Sequence, residues 1–171
     1  MDDLDKDQVL QWYGWLEDEL VDILKYIPLA DQNLKAFSPQ LASLIIESCG
    51  LLDSILRQIS PDPAMVDGKK IPREDLNMVH YAKLYAAKFE IPTSKSILLI
   101  TPSKYLTPFG GWLGFLSKGK YQPPPWWQTH NELKHDRIAN LIKAKLKVAI
   151  DSLCRLQPHY RNPSSLRQGD S

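Results

Sequence analysis

Apolar positions recur at steps of three and four over much of the chain, so a helical fold is expected. From about Asp7 to Ile27, Leu10, Tyr13, Leu16, Leu20, Ile23, Leu24 and Ile27 form one stripe, which Pro28 ends. Asp5 or Asp7 can cap its start, and acids crowded there suit the positive end of the helix dipole. A second helix opens on Ser38-Pro39, a hydroxyl cap followed by proline at the first helical position. Leu41, Leu44, Ile45, Ser48, Leu52, Ile55, Leu56 and Ile59 continue its stripe as far as Pro61. The linker Leu29 to Phe37 is short enough to make these helices antiparallel neighbours and the body of the core. Gly50 lies within the second stripe and weakens the helix there, so a close helix crossing near Cys49-Gly50 is expected as compensation.

Between Pro61 and Pro125 the pattern is mixed. A helix is expected near Arg73 to Glu90, with Met78, Ala82, Tyr85 and Phe89 on one face, followed by a short strand within Ser96 to Thr101. Prolines and glycines then break the chain, and Trp112, Phe115 and Leu116 are expected to tack this insertion onto the helical body. Pro123, Pro124 and Pro125 make a stiff approach to a last helix, because each ring fixes its own φ and disfavours helix in the residue before it. That helix is predicted to run unbroken from about Pro125 or Trp126 to Leu156, carrying Ile138, Ile142, Leu146, Ala149, Leu153 and Leu156 inward, with Pro158 as its stop. The fold class predicted is therefore mainly all-α, an antiparallel helical bundle with a Pro/Gly-rich insertion at 61–125. It forms one domain over 1–158, followed by a flexible tail at 159–171.

Composition narrows the class without naming a function. A chain of 171 residues with 43% hydrophobic residues can bury a core without disulfides or metal. This excludes a stapled toxin, a collagen-like fibre and a mainly disordered chain. Cys49 and Cys154 both fall in apolar helical patterns and read as small buried hydrophobes, with no spacing that suggests zinc. No run reaches the length of a membrane-spanning segment and the acidic start lacks the features of a secretory signal, so a cytoplasmic protein with no membrane association is expected. The net charge of +1 hides a segregation. Residues 1–32 carry nine acids against two bases, whereas residues 126–171 carry eight bases against four acids. The basic end can attract a polyanion or pair with the acidic first helix.

Candidate chemistry concentrates in Trp126-Trp-Gln-Thr-His-Asn-Glu-Leu-Lys-His-Asp-Arg137. On an unbroken helix, Asn131 and His135 precede Ile138 by seven and three positions and so share the core-facing stripe, where polar groups need partners or a purpose. An imidazole titrates near neutrality and can shuttle protons, and a neighbouring amide can fix its tautomer. Lys134 and Arg137 can hold a phosphate or stabilise charge on a pentavalent phosphorus. Glu132 and Asp136 do not make a HExxH arrangement, so no metal and no cofactor are expected. The alternative is structural: Asn131 and His135 buried and hydrogen-bonded, Trp126 and Trp127 acting as packing anchors, and Lys134 and Arg137 paired with the acidic N-terminus.

The string WWQTHNELKHDR, the long apolar helix after it and the helix pair before it resemble the HEPN superfamily, most closely bacterial members with a WW-x-x-Y-N-x-x-K-H-x-R signature. That resemblance covers the first two helices and residues 126–156, and the insertion only loosely. It implies a metal-independent endoribonuclease site, commonly completed across a homodimer, and a bacterial defence or stress setting with RNA or a protein as partner. Carried over by position, His135 is the histidine and Asn131 the polar residue of the motif. Arg137 is expected as a third catalytic group, and Lys134, His130 and Trp127 as substrate-binding residues. The position at which the family carries its arginine is His130 here, so an inactive binding module or scaffold is the alternative outcome.

Overall fold

The computed structural model describes residues 3–86, 96–98, 104–107, 109–112, 115 and 119–154, the side chains of 3–5, 96–98 and 104–105 excepted. Phe89, Leu116, Leu156, the run 99–101 and the tail 159–171 lie outside the described residues. The described chain is mainly helical: α1 (Asp3–Tyr26), α2 (Pro39–Ile59), α3 (Met78–Tyr85), α4 (Pro125–His135) and α5 (Leu146–Leu153). Two antiparallel strand pairs complete it, β1 (Ala64–Val66) with β2 (Lys69–Ile71) and β3 (Ser96–Leu98) with β4 (Lys104–Leu106).

α2 is the centre of the packing and touches α1, α4 and α5. Its start follows from local chemistry, since Ser38 Oγ accepts a hydrogen bond from the Leu41 amide at 3.2 Å and Pro39 takes the first helical position. Ten of its residues are buried, including Leu41, Leu44, Ile45, Leu52 and Leu56. By length and composition it is also the one helix among the described residues apolar enough to cross a bilayer. Here its apolar faces are spent on three neighbouring helices. α1 contributes Leu16 and Leu20 to the same core, with Tyr13, Ile23, Leu24 and Ile27 packed against it. Leu10, expected on that stripe, is exposed. Cys49 and Cys154 are buried, as their apolar settings imply.

Gly50 corrects the expectation of a close crossing. It is exposed, and a Cβ built there would meet nothing within 4 Å. The glycine therefore serves no packing need and only loosens the helix.

The insertion begins with a hairpin that the apolar periodicity did not reveal. β1 and β2 pair Val66 with Lys69 across Asp67-Gly68, both of which have positive φ (50° and 75°), the backbone of a primed two-residue turn. α3 starts later than expected. The chain from Arg73 to Asp75 is a 3-10 turn, and Asn77 then caps α3 by accepting from the amides of Val79 and His80. Met78, Ala82 and Tyr85 are buried on one face as predicted. β3 falls inside the run expected to be extended, and Trp112 is buried as an anchor, its ring 4.7 Å from Phe109, which in turn stands edge-on to Trp126 at 5.9 Å.

The long last helix is the main correction. α4 stops at His135, a turn spans 137–140, a 3-10 segment covers Leu141–Lys143, and α5 starts only at Leu146. The cause is local. Asp136 Oδ1 accepts from the Ala139 amide at 2.9 Å, and the Asn140 side-chain amide donates to the carbonyls of Glu132 (3.0 Å) and Asp136 (2.9 Å). Side chains of this kind offer the backbone an alternative to the helical ladder. Beyond the turn the chain is captured by the α1–α2 linker: Leu146 N donates to Ala36 O at 2.8 Å, and Phe37 bridges Lys145. Ile138 and Ile142, expected in the core, are 90% and 60% exposed, whereas Leu146, Ala149 and Leu153 beyond the break are buried.

Gly50→Ala should raise stability by about 0.5–1 kcal/mol, because alanine costs less backbone entropy in a helix and the site has room for its methyl group. The shift in urea midpoint at constant slope measures it.

Candidate functional site at the end of α4

α4 has two faces. Trp126, Thr129, His130 and Leu133 are its buried residues, at the three- and four-residue steps of one helical side, and they meet α2 and α5. Asn131, Lys134 and His135 are exposed, and Trp127 is half-buried beside them. Asn131 and His135 do lie one turn apart on the same side, but that side faces solvent. This corrects the expectation that they belong to the core stripe, and it equally removes the alternative of buried, structural polar groups. The helix break explains the error: Ile138 is not on the same rod and cannot serve as its inward reference.

Arg137 stands past the helix end, exposed, in the turn stapled by Asp136 and Asn140. Lys134 and Arg137 make no ion pair with any described residue, so the expected pairing with the acidic N-terminus is not made within that range. Glu132, by contrast, is held 2.9 Å from Lys143. The cations near α4 are thus divided into one that ties the turn together and two that face solvent. Lys134 in the last turn also suits the negative end of the helix dipole.

His130 sits differently from the residues around it in sequence. It is only 6% exposed, its ring lies 4.7 Å from that of Trp127 at 35°, and its Nδ1 has no hydrogen-bond partner. Burial lowers its pKa below the ordinary imidazole value, the Lys134 charge lowers it further, and Asn131 and the Asp53 carboxylate pull weakly the other way. His130 is therefore a neutral ring under the exposed face, not an open substrate contact.

A polar group of side chains that the sequence patterns left unmarked centres on Asp53, whose charge acts on His130. On α2, Asp53 Oδ2 and an Arg57 terminal nitrogen are 3.0 Å apart, and Arg57 also donates to the Glu74 carbonyl at 3.2 Å. The Tyr81 ring is sealed in the core, and its phenol is pushed up to about 12, first by burial and then by the Asp53 carboxylate. Asp53 is the common neighbour whose charge both Tyr81 and His130 feel. Its spacing to Arg57, four residues along a helix, was the available signal, although such a pair usually marks an ordinary surface.

Comparison with family models, with curated proteins and with solved structures gives no match. The site therefore has to be read from its own chemistry. Among the described residues no group of three or more His, Cys, Asp or Glu side chains is placed to hold a metal ion. The outer face and C-terminal end of α4 offer two cations unpaired among the described residues, an exposed imidazole with an amide one turn away, and an aromatic ring at its edge. That set suits an anionic, base-bearing ligand.

The buried imidazole has a consequence for pH. The folded pKa of His130 is depressed, so between that value and about 6.5 the unfolded chain binds the extra proton. The contribution of His130 is complete above about 6.5 and is lost as pH falls through the window. Unfolding midpoints measured from pH 7.5 down to 5 should fall in the wild type, and His130→Gln should flatten that part of the profile.

Proposed function

We propose that this chain is an HEPN-like helical protein that binds RNA through the outer face and C-terminal end of α4, in a bacterial defence or stress setting. The observation that carries this is the joint exposure of Asn131, Lys134, His135 and Arg137 at one helix end, with both strong cations unpaired among the described residues. Lys134 and Arg137 bind backbone phosphates, Arg137 with its planar fork and Lys134 as a point charge. Trp127 gives a base a ring edge to rest against. The exposure of Asn131 and His135 counts against the scaffold alternative, since groups that knit helices together are buried.

Metal-independent cleavage is the stronger form of the same function. His135 takes the proton of the ribose 2′-hydroxyl as that oxygen attacks the adjacent phosphorus, and Asn131 orients the imidazole from one turn away. Lys134 and Arg137 balance the charge gathering on the phosphoryl oxygens. The 5′-oxygen leaves with a proton from solvent, and the products are a 2′,3′-cyclic phosphate and a free 5′-hydroxyl. His130 does not replace the family's arginine in this scheme, because a buried neutral ring supplies no permanent charge. Arg137 has to supply it.

Incubation of the purified protein with single-stranded RNA in chelator, together with binding titrations over a range of salt, tests both forms. Expected is salt-dependent binding, whose slope in a log–log plot falls by about 1.4 in the double variant Lys134→Ala/Arg137→Ala, for two phosphate contacts at roughly 0.7 each. His135→Ala should keep the wild-type melting temperature, because the side chain is exposed, and should lose whatever cleavage the wild type has. An unchanged cleavage rate in that variant excludes His135 as the acid–base group, and absence of RNA binding overturns the whole proposal.

A further inference from the structure

α1 carries two stripes. The inner one, around Leu16 and Leu20, packs on the core. The outer one runs through Trp12, Trp15, Glu19, Asp22 and Tyr26 at steps of three, four, three and four, which sets all five side chains along one line of the helix. Trp12, Trp15 and Tyr26 on that line are 45%, 56% and 87% exposed. Single apolar side chains at a surface need no explanation, but a regular aromatic seam with a net acidic rim, Asp22 on it paired with Lys25 at 2.6 Å, has the make-up of an interface. Asp18 adds a further exposed carboxylate beside Trp15. At 1.5 Å per residue, the seam from Trp12 to Tyr26 is about 21 Å long.

At the other end of the described chain is the opposite surface. Ile138 and Ile142 stand out in solvent, and the hydrogen bonds of Asp136 and Asn140 hold the Ile138 turn in place, so the exposure belongs to a built feature. Lys134 and Arg137 precede it in the chain and Lys145 follows it, all exposed and none ion-paired with a described residue, against the single exposed carboxylate of Asp136. An aliphatic knob on a net basic segment is what an aromatic seam with a net acidic rim would accept.

We infer that the occupant of the knob is a second copy of this chain: the Ile138–Ile142 turn of one copy docks on the outer seam of α1 of the next. The charges favour one orientation and oppose self-pairing of either surface, because acid would meet acid or base would meet base. The contact is therefore knob on seam, made twice across a two-fold axis in a closed pair or repeated head-to-tail in a ring or an open chain. An aliphatic knob adds little to nucleic acid, which stacks on rings. This inference stands apart from RNA binding and is tested without RNA.

The mass of the full chain is measured by light scattering after size exclusion over a hundredfold range of concentration, at low and high salt. Assembly that grows with concentration and weakens with salt is expected, and a chain that stays monomeric at all concentrations overturns the inference. Ile138→Asp and Trp15→Ala should each be reduced to monomers, with an unchanged circular dichroism spectrum because both side chains are exposed. The decisive sample is their mixture. Each variant retains the surface that the other has lost, so the mixture should form a pair with one copy of each and stop there. Variants that remain assembled, or a mixture that stays monomeric, exclude knob-on-seam docking. A variant that failed to fold would give no pair in the mixture, whereas Ile142→Asp and Trp12→Ala provide an independent second mixture.

Discussion

The stop at the end of α4 governs what this surface can do. Asn140 donates to the Glu132 carbonyl of the last turn and to the Asp136 carbonyl, the Asp136 carboxylate accepts from the Ala139 amide, and Lys143 reaches back to Glu132. On an unbroken helix Ile138 and Ile142 would continue the exposed side of Asn131 and His135, and the last turn of α4 would be one turn among many. With the stop, His135 becomes a helix end, Arg137 leaves the rod, and Ile138 and Ile142 stand in solvent on the segment that follows. The chain then crosses the α1–α2 linker through Ala36 and Phe37 before α5 enters the core. The basic end and the helical body are joined by this short stretch of side-chain-to-backbone bonds.

Much of the body was legible because apolar spacing and capping agree there. Ser38-Pro39 and the α2 stripe mark a helix that any packing would have to use, and Met78, Ala82 and Tyr85 mark the inner side of α3 in the same way. The unbroken last helix was misread for a definite physical reason. Ile138, Ile142, Leu146, Ala149 and Leu153 keep helical steps across a segment that is not helical, and periodicity counts residues without seeing what the backbone amides bond to. Asp136 and Asn140, four apart in an otherwise favourable run, were the signs of a stop. Asp67-Gly68 between Ala-Met-Val and Lys-Lys-Ile was a hairpin signal of the same local kind.

The candidate site divides on the same line. That Trp126 to Arg137 is an unusual segment follows from its residues, but which of them face out does not, because the direction of each depends on where the helix meets α2. His130 and Leu133 take the inner side and Asn131, Lys134 and His135 the outer. The Asp53–Arg57 pair and Tyr81 could not be joined to His130 from sequence at all, since they come from α2 and α3 and meet it only through packing. A buried imidazole and a buried phenol that both feel one carboxylate are a product of three helices, whereas the exposed cations are a product of one turn.

Charge segregation along the chain gains a meaning from this geometry. Acids at the start and bases at the end would ordinarily be expected to cancel inside the fold, yet Lys134 and Arg137 remain unpaired with any described residue and the acids around Trp15 remain at the surface. Cancelling them internally would have needed the end of α4 to lie along α1, and the core puts α2 and α5 against α4 instead. The fold therefore keeps two complementary surfaces apart on one molecule. A polyanion and the acidic seam of a neighbouring copy address the same cations, so bound RNA and a docked copy would exclude each other at α4. The aliphatic knob distinguishes them: it matters to a protein surface with rings to cover it and little to a phosphate backbone.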